Sequence, residues 1–274
     1  MAPFGGENAE SYYDEGLTAG VKGDLARAVA CLEKAIELDP SFLAAHQQLA
    51  KCCMRLGHID RAVAILRHVL SKRSGLVAAK LDLGFALIEK GELKEAREQF
   101  VEVMQTQAGN ARAGLGLANI CFAEGNWEAA VALAQESRAR GGASFPVLYL
   151  LARAAKLAGN QALSEEAFEG ADALLKRSLD LNGEQVEARY LRGELAFHQN
   201  KFPAALEQYR AAAEHGEEGR TYTVFGQSFS RVDALAKQGL CLQRIGETEL
   251  ARKMGERIVA VDPEHKIGQS LKNL

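Results

Sequence analysis

The sequence is poor in residues that interrupt helices and in residues that carry chemistry. Only five prolines occur in 274 residues, so long stretches run without a forced break in helical hydrogen bonding. The five cysteines, Cys31, Cys52, Cys53, Cys121 and Cys241, are odd in number and include no CxxC pair. That argues against a disulfide framework and against zinc. Each falls in an apolar helical stripe, where a thiol behaves as a small hydrophobe, so a reducing, cytoplasmic setting is expected. No apolar run approaches the roughly 18 residues that span a bilayer. The opening MAPFGGENAE has neither a basic start nor an apolar core, so no secretory signal is expected. Charge of one sign is also scarce. The 33 Lys and Arg against 36 Asp and Glu leave a formal net charge of −3, which offers no broad surface for nucleic-acid phosphates.

Catalytic patterns are missing as well. There is no GxxxxGK[ST], no HExxH and no GxSxG. GLGLAN, from Gly114 to Asn119, has a glycine rhythm, but it falls inside a predicted helix with no strand before it, so it is no nucleotide loop. The six histidines are scattered. His46, Cys52, Cys53 and His58 do not place four ligands on one helical face. Neither catalysis, a metal nor a cofactor is expected.

What the sequence does have is a period. Gly23, Gly57, Gly91, Gly125 and Gly159 each stand 34 residues from the last. Five positions after them come Ala28, Ala62, Ala96, Ala130 and Ser164, and seven before come Gly16, Ala50, Gly84, Ala118 and Ala152. Apolar stripes of helical period lie on both sides of each glycine. Each unit therefore reads as two helices joined by a short turn, with small residues where the helices cross closely. One such hairpin cannot bury its own apolar face, so neighbours must stack into a solenoid.

This pattern resembles the tetratricopeptide repeat, most closely in SYYDEGLTAGVKGDLARAVACLEKAIELDP, which ends at Pro40. The resemblance covers most of the chain. It implies an all-α, right-handed superhelical solenoid of about seven antiparallel helix pairs. The expected repeats are 9–42, 43–76, 77–110, 111–144, 145–185, 186–219 and 232–265. A flexible tail is expected at 1–8 and a capping segment at 266–274.

Two spacings break the rule. Asn200 takes the glycine role 41 residues after Gly159, which predicts a second helix longer by two turns, ending near Asn182 and Gly183. Gly246 follows 46 residues later, and the surplus coincides with RTYTVFGQSFSR, Arg220 to Arg231. An inserted loop is expected over 217–230, long for a solenoid junction. Ser230 and Asp233 have capping-box spacing for the next helix. Three aromatics in the insert, Tyr222, Phe225 and Phe229, either pin it to the protein's own helices or form a partner surface, with a strand-like edge through Tyr222 to Phe225.

The resemblance also implies a concave groove, lined by the first helix of each pair, that binds a protein or peptide. In this register the groove includes Lys51, Leu81, Asp82, Phe85, Arg112, Leu115, Asn119 and Phe122. Further along it includes Tyr149, Arg153, Lys156, Tyr190, Glu194 and Phe197. Aromatic rings beside Arg and Lys suit a peptide with apolar anchors and some acidic residues. A subset of the family grips the C-terminal carboxylates of chaperones with Lys, Asn and Arg. Here those places hold residues such as Tyr13, Leu17, Gln48, Ala78 and Asp82, so that clamp is absent. The expected function is a non-catalytic adaptor or scaffold. The alternative is a scaffold that self-associates through its ends, the long helix or the aromatic loop.

Overall fold

The computed structural model describes residues 8–224 and 227–274. The chain divides into two compact units, residues 1–142 and 143–274. In the first unit, four antiparallel helix pairs follow one another: α1 (Ala9–Val21) with α2 (Leu25–Leu38), α3 (Leu43–Arg55) with α4 (Ile59–Lys72), α5 (Val77–Lys90) with α6 (Leu93–Thr106), and α7 (Ala111–Ala123) with α8 (Trp127–Gly141). The second unit has three pairs: α9 (Phe145–Leu157) with α10 (Gln161–Leu181), α11 (Val186–His198) with α12 (Phe202–His215), and α13 (Arg231–Ile245) with α14 (Thr248–Val261). A strand pair, β1 (Thr221–Val224) and β2 (Gln227–Ser230), precedes α13, and α15 (Lys266–Lys272) ends the chain. The architecture is an all-α superhelical repeat fold.

The 34-residue period has a backbone cause. Gly23, Gly57, Gly91, Gly125, Gly159 and Gly246 all have φ between 77° and 97°. This left-handed conformation turns the chain from first to second helix and is costly for a residue with a Cβ. Asn200 adopts φ 60°, the only described non-glycine residue at positive φ, as befits a side chain that tolerates the region. Asp24, Asn126 and Asn160 follow the glycine directly, and each accepts from the backbone N–H three residues on, capping the second helix.

The small residues mark close crossings. Ala28, Ala62, Ala96, Ala130, Ala205 and Ala251 are fully buried. Ser164 is buried too, and its hydroxyl donates to the Ala152 carbonyl at 2.9 Å, so the polar replacement is satisfied. A Cβ on Gly84 would stand 2.6 Å from the Phe100 ring, and one on Gly116 closer still. The ring of α6 thus lies against the backbones of α5 and α7 in the first unit's core.

The irregular spacings resolve differently. The helix α10 has 21 residues where α2, α4 and α6 have 14. It runs through Gly170 unbroken and is capped at Asn182. The insert at 217–230 is not the loop expected. It is an antiparallel hairpin with Thr221 opposite Ser230 and Tyr222 opposite Phe229. Thr, Tyr and Val favour a pleated, half-buried surface, and a helical period is absent there. Ser230 and Asp233 form the capping box that begins α13. Of the expected tail, residues 1–7 lie outside the described residues, and Asn8 belongs to the fold as N-cap of α1, accepting from Ser11 N at 2.8 Å. At the other end, α15 buries Leu271 against α13 and α14.

Candidate functional site

The first helices adjoin one another in the first unit, α3 against α5 and α5 against α7. Their shared face centres on Asp82, whose side chain is 5% exposed. Arg112 Nη2 donates to Asp82 Oδ1 at 3.1 Å, and Lys51 Nζ lies 3.7 Å from Oδ2. Three successive first helices therefore contribute one cation, one carboxylate and one cation. The Arg112 guanidinium also stands over the Phe85 ring, 5.6 Å from its centroid. Phe85 in turn meets Phe100 edge-on at 5.1 Å, which holds the ring from behind.

The rest of the predicted set divides by burial. Leu81 is buried in the core, 4% exposed, and presents nothing to a ligand. Leu115 is half-buried. Asn119 Nδ2 donates to the Leu115 carbonyl one turn back, so that amide serves its own helix. Phe122 packs edge-on against Trp127 at 5.3 Å and braces the turn between α7 and α8.

In the second unit the polar centre is Glu194 on α11, 7% exposed. Its Oε1 accepts from the Tyr209 hydroxyl at 2.5 Å and pairs with Lys237 Nζ at 2.6 Å, while His198 Nε2 lies 4.0 Å from Oε2. Lys237 also stands over the Phe197 ring at 5.7 Å. Arg153 covers the ring of Tyr149 at 5.3 Å, and Lys156 Nζ donates to the His198 carbonyl. Burial, then the Arg153 charge, hold His198 down at about 4. Burial first, and Glu194 second, push the Tyr149, Tyr190 and Tyr209 phenols up, so all three rings are neutral.

Two predicted groove residues of this unit are corrected. Tyr149 and Tyr190 are 6% and 7% exposed and belong to the packing. Tyr149 stacks on Phe145 at 5.4 Å, and Tyr190 stacks on Phe229 at 3.8 Å with planes 8° apart. The same contact corrects the partner-surface expectation for Tyr222 and Phe229. Both are buried, their rings stacked at 5.5 Å, in one core cluster with Tyr190 and Tyr209. The Tyr222 hydroxyl accepts from Glu217 N at 2.8 Å. Period-two alternation on a hairpin sends both rings to the same face, and the apolar face of α11 is there to receive them. Phe225 lies outside the described residues.

Lys237 and His198 were missed by the sequence reading. Lys237 stands nine residues before its turn glycine, Gly246, as Asp82 does before Gly91. Carrying the register past the insertion would have placed it on the first-helix face. His198 shows no such signal, because its neighbours come from α9 and α13.

Comparison with known proteins bears on the fold and class. Tetratricopeptide repeat profiles match residues 22–75 and 87–154, and a second profile of the same description matches 157–219. The mouse DnaJ homolog subfamily C member 3 is 23% identical over 264 residues, covering 94% of this chain and 44% of that protein. The human protein of the same name is 26% identical over 99 residues, 36% of this chain and 20% of that one. This chain thus spans less than half the length of the curated relatives it matches. Among solved structures, a tetratricopeptide repeat protein from Parabacteroides merdae superposes with TM-score 0.58 at 15% identity, over 97% of this chain and 98% of that one. A chain of the APC/C hetero-tetramer Cut9–Hcn1 gives 0.64 at 15% identity, over 94% of this chain and 48% of that chain. The chain belongs to the tetratricopeptide repeat family, whose members bind proteins or peptides and serve in general as interaction scaffolds.

Proposed function

We propose that this chain is a non-catalytic, cytoplasmic adaptor that holds a peptide or protein segment against the first helices of its pairs. One observation carries the proposal: cations stand over aromatic rings on that face in both units. Arg112 covers half-buried Phe85, and Lys237 covers half-buried Phe197. A ring gives large contact area at small entropic cost, and a cation held on it keeps its outer donors for a ligand. Five free thiols fit a reducing compartment.

The test is site-specific photo-crosslinking in the cells that make the protein. A photoreactive phenylalanine analogue replaces Phe85 or Phe197. Controls carry it at Val101 on α6 or Arg210 on α12, both exposed on second helices. The adaptor function requires heterologous adducts from positions 85 and 197 and few from the controls. Equal yields from all four positions would refute it. Adducts joining two copies of this chain would instead favour a self-associating scaffold.

A further inference from the structure

We infer that Asn182–Gly183, between α10 and α11, is a site of spontaneous covalent modification at which Asn182 converts to aspartate and isoaspartate. The reaction needs only water. Solvent base takes the Gly183 amide proton, the nitrogen attacks Cγ of Asn182, and the side-chain nitrogen leaves as ammonia. Water then opens the succinimide ring. Opening at Cγ gives aspartate. Opening at the main-chain carbonyl gives isoaspartate, in which the backbone runs through the side chain.

Three observations single out this bond among the eight asparagines. Asn182 is the only one followed by glycine, so no Cβ stands beside the attacking nitrogen or restricts its rotation. Ala, Ile, Trp, Gln, Lys or Leu follows each of the others. The nucleophile is also free. Asn182 and Gly183 are both exposed, and the Gly183 N–H donates to no acceptor among the described residues. By contrast, the N–H after Asn200 donates to the Ala196 carbonyl, and the one after Asn273 to that of Leu271. Finally, the electrophile is polarised. Asn182 Oδ1 accepts from Glu184 N at 3.1 Å, and Arg189 Nη2 donates to the Gly183 carbonyl at 3.3 Å, which sets a positive charge beside the reacting groups. Asn182 is extended, with φ −149° and ψ 100°, so ring closure requires rotation about ψ. Little opposes that rotation. The bond from Gln185 N to the Asn182 carbonyl is long, at 3.4 Å.

The place of the product gives it an effect. The Asn182 N–H caps α10 at Ser178 O, and α11 begins at Val186. Isoaspartate adds a methylene to the main chain of that short junction. The helix α11, with Val186 and Tyr190 buried, then cannot keep both its packing and its connection unstrained, so the second unit loosens.

The experiment ages the full chain in mildly acidic and mildly alkaline buffer and maps its peptides by mass spectrometry, with the free peptide LDLNGEQVEAR as reference. Asn182 should gain one mass unit, as aspartate and isoaspartate, at least about tenfold faster than any other asparagine, a barrier difference of about 1.4 kcal/mol. The rate should rise with pH, because the amide must lose its proton. Gly183→Ala is admitted by the packing, since the added Cβ meets only Leu179 O at 3.8 Å, and it should slow the reaction about tenfold. Asn182→Asp separates the new charge from the longer backbone. That variant should unfold in urea as the fresh chain does, whereas the aged chain should be less stable. Modification at Asn182 no faster than elsewhere, or confined to the free peptide, would overturn the inference, as would an unchanged rate in Gly183→Ala. An aged chain as stable as Asn182→Asp would overturn the effect assigned to the longer backbone.

Discussion

Replacing Phe229 by Ala should destabilise the second unit by about 3–5 kcal/mol, the range for truncating a buried Phe. The structure supports the upper part of that range. The ring is 2% exposed, stacks on Tyr190 at 3.8 Å and on Tyr222 at 5.5 Å, and lies in the cluster that holds Tyr209. Each aromatic pair contributes about 0.5–1.5 kcal/mol beyond area burial. Phe229→Leu keeps most of the apolar volume and loses chiefly the stacking, so about 1–2 kcal/mol is expected there. Urea unfolding of the full chain measures this. At a slope of about 2 kcal/mol per molar, the Ala variant shifts the midpoint of the affected transition by about 2 M. Two probes localise the shift. The single tryptophan, Trp127, lies in α8 and reports on the first unit, whereas circular dichroism reports on all helices. The dichroism transition should split or broaden while the fluorescence transition moves less, because stability in a repeat protein is a sum of local terms. A loss under about 1 kcal/mol for Phe229→Ala would mean that the hairpin does not anchor on α11 and would reopen it as a partner surface.

Four further positions give expected outcomes. Gly84→Ala should destabilise the protein by about 1–2 kcal/mol despite alanine's higher helix propensity, since its Cβ would meet the Phe100 ring at 2.6 Å. Gly20→Ala, whose Cβ meets only Ala28 at 3.9 Å, should stabilise by about 0.5–1 kcal/mol, and thermal melts of the pair test the contrast in sign. Asn200→Gly should be neutral or slightly stabilising and Asn200→Ala destabilising by about 1 kcal/mol, as a backbone at φ 60° demands; chemical denaturation distinguishes them. His198 is held at about 4 when folded, below its usual range, so between pH 6.5 and 4 the unfolded chain binds the proton that the folded chain refuses. Its contribution is fully present at pH 7 and lost as pH falls through that window. The charged groups around it are Arg153, Lys156, Lys237 and, opposing them, Glu194. His198→Gln should flatten the difference in unfolding midpoint between pH 7 and pH 5.

The sequence by itself determined what depends on neighbours a few residues apart. The left-handed turn at each glycine, the side-chain cap after it, the small residues at the crossings and the helical period are local properties. The number of helix pairs and the added length of α10 were therefore legible from spacing alone. The capping box at Ser230 was legible for the same reason. Tertiary structure alone decided which face of each ring is buried. Tyr190 and Phe229 are 39 positions apart, with a whole helix between them, and no period in either segment says that one will stack on the other. The register likewise placed Tyr149 and Tyr190 on the first-helix face, but Tyr149 meets His198 of α11 edge-on and Tyr190 is covered by Phe229 of the hairpin. Asp82 carries the same lesson for charge. Its spacing put it on the face with Lys51 and Arg112, but only the approach of α3, α5 and α7 turned three scattered charges into one buried carboxylate holding two exposed cations. Hydrogen bonds within a helix are set by the chain's own geometry, whereas burial and ion pairing are set by whatever the stacked repeats bring alongside.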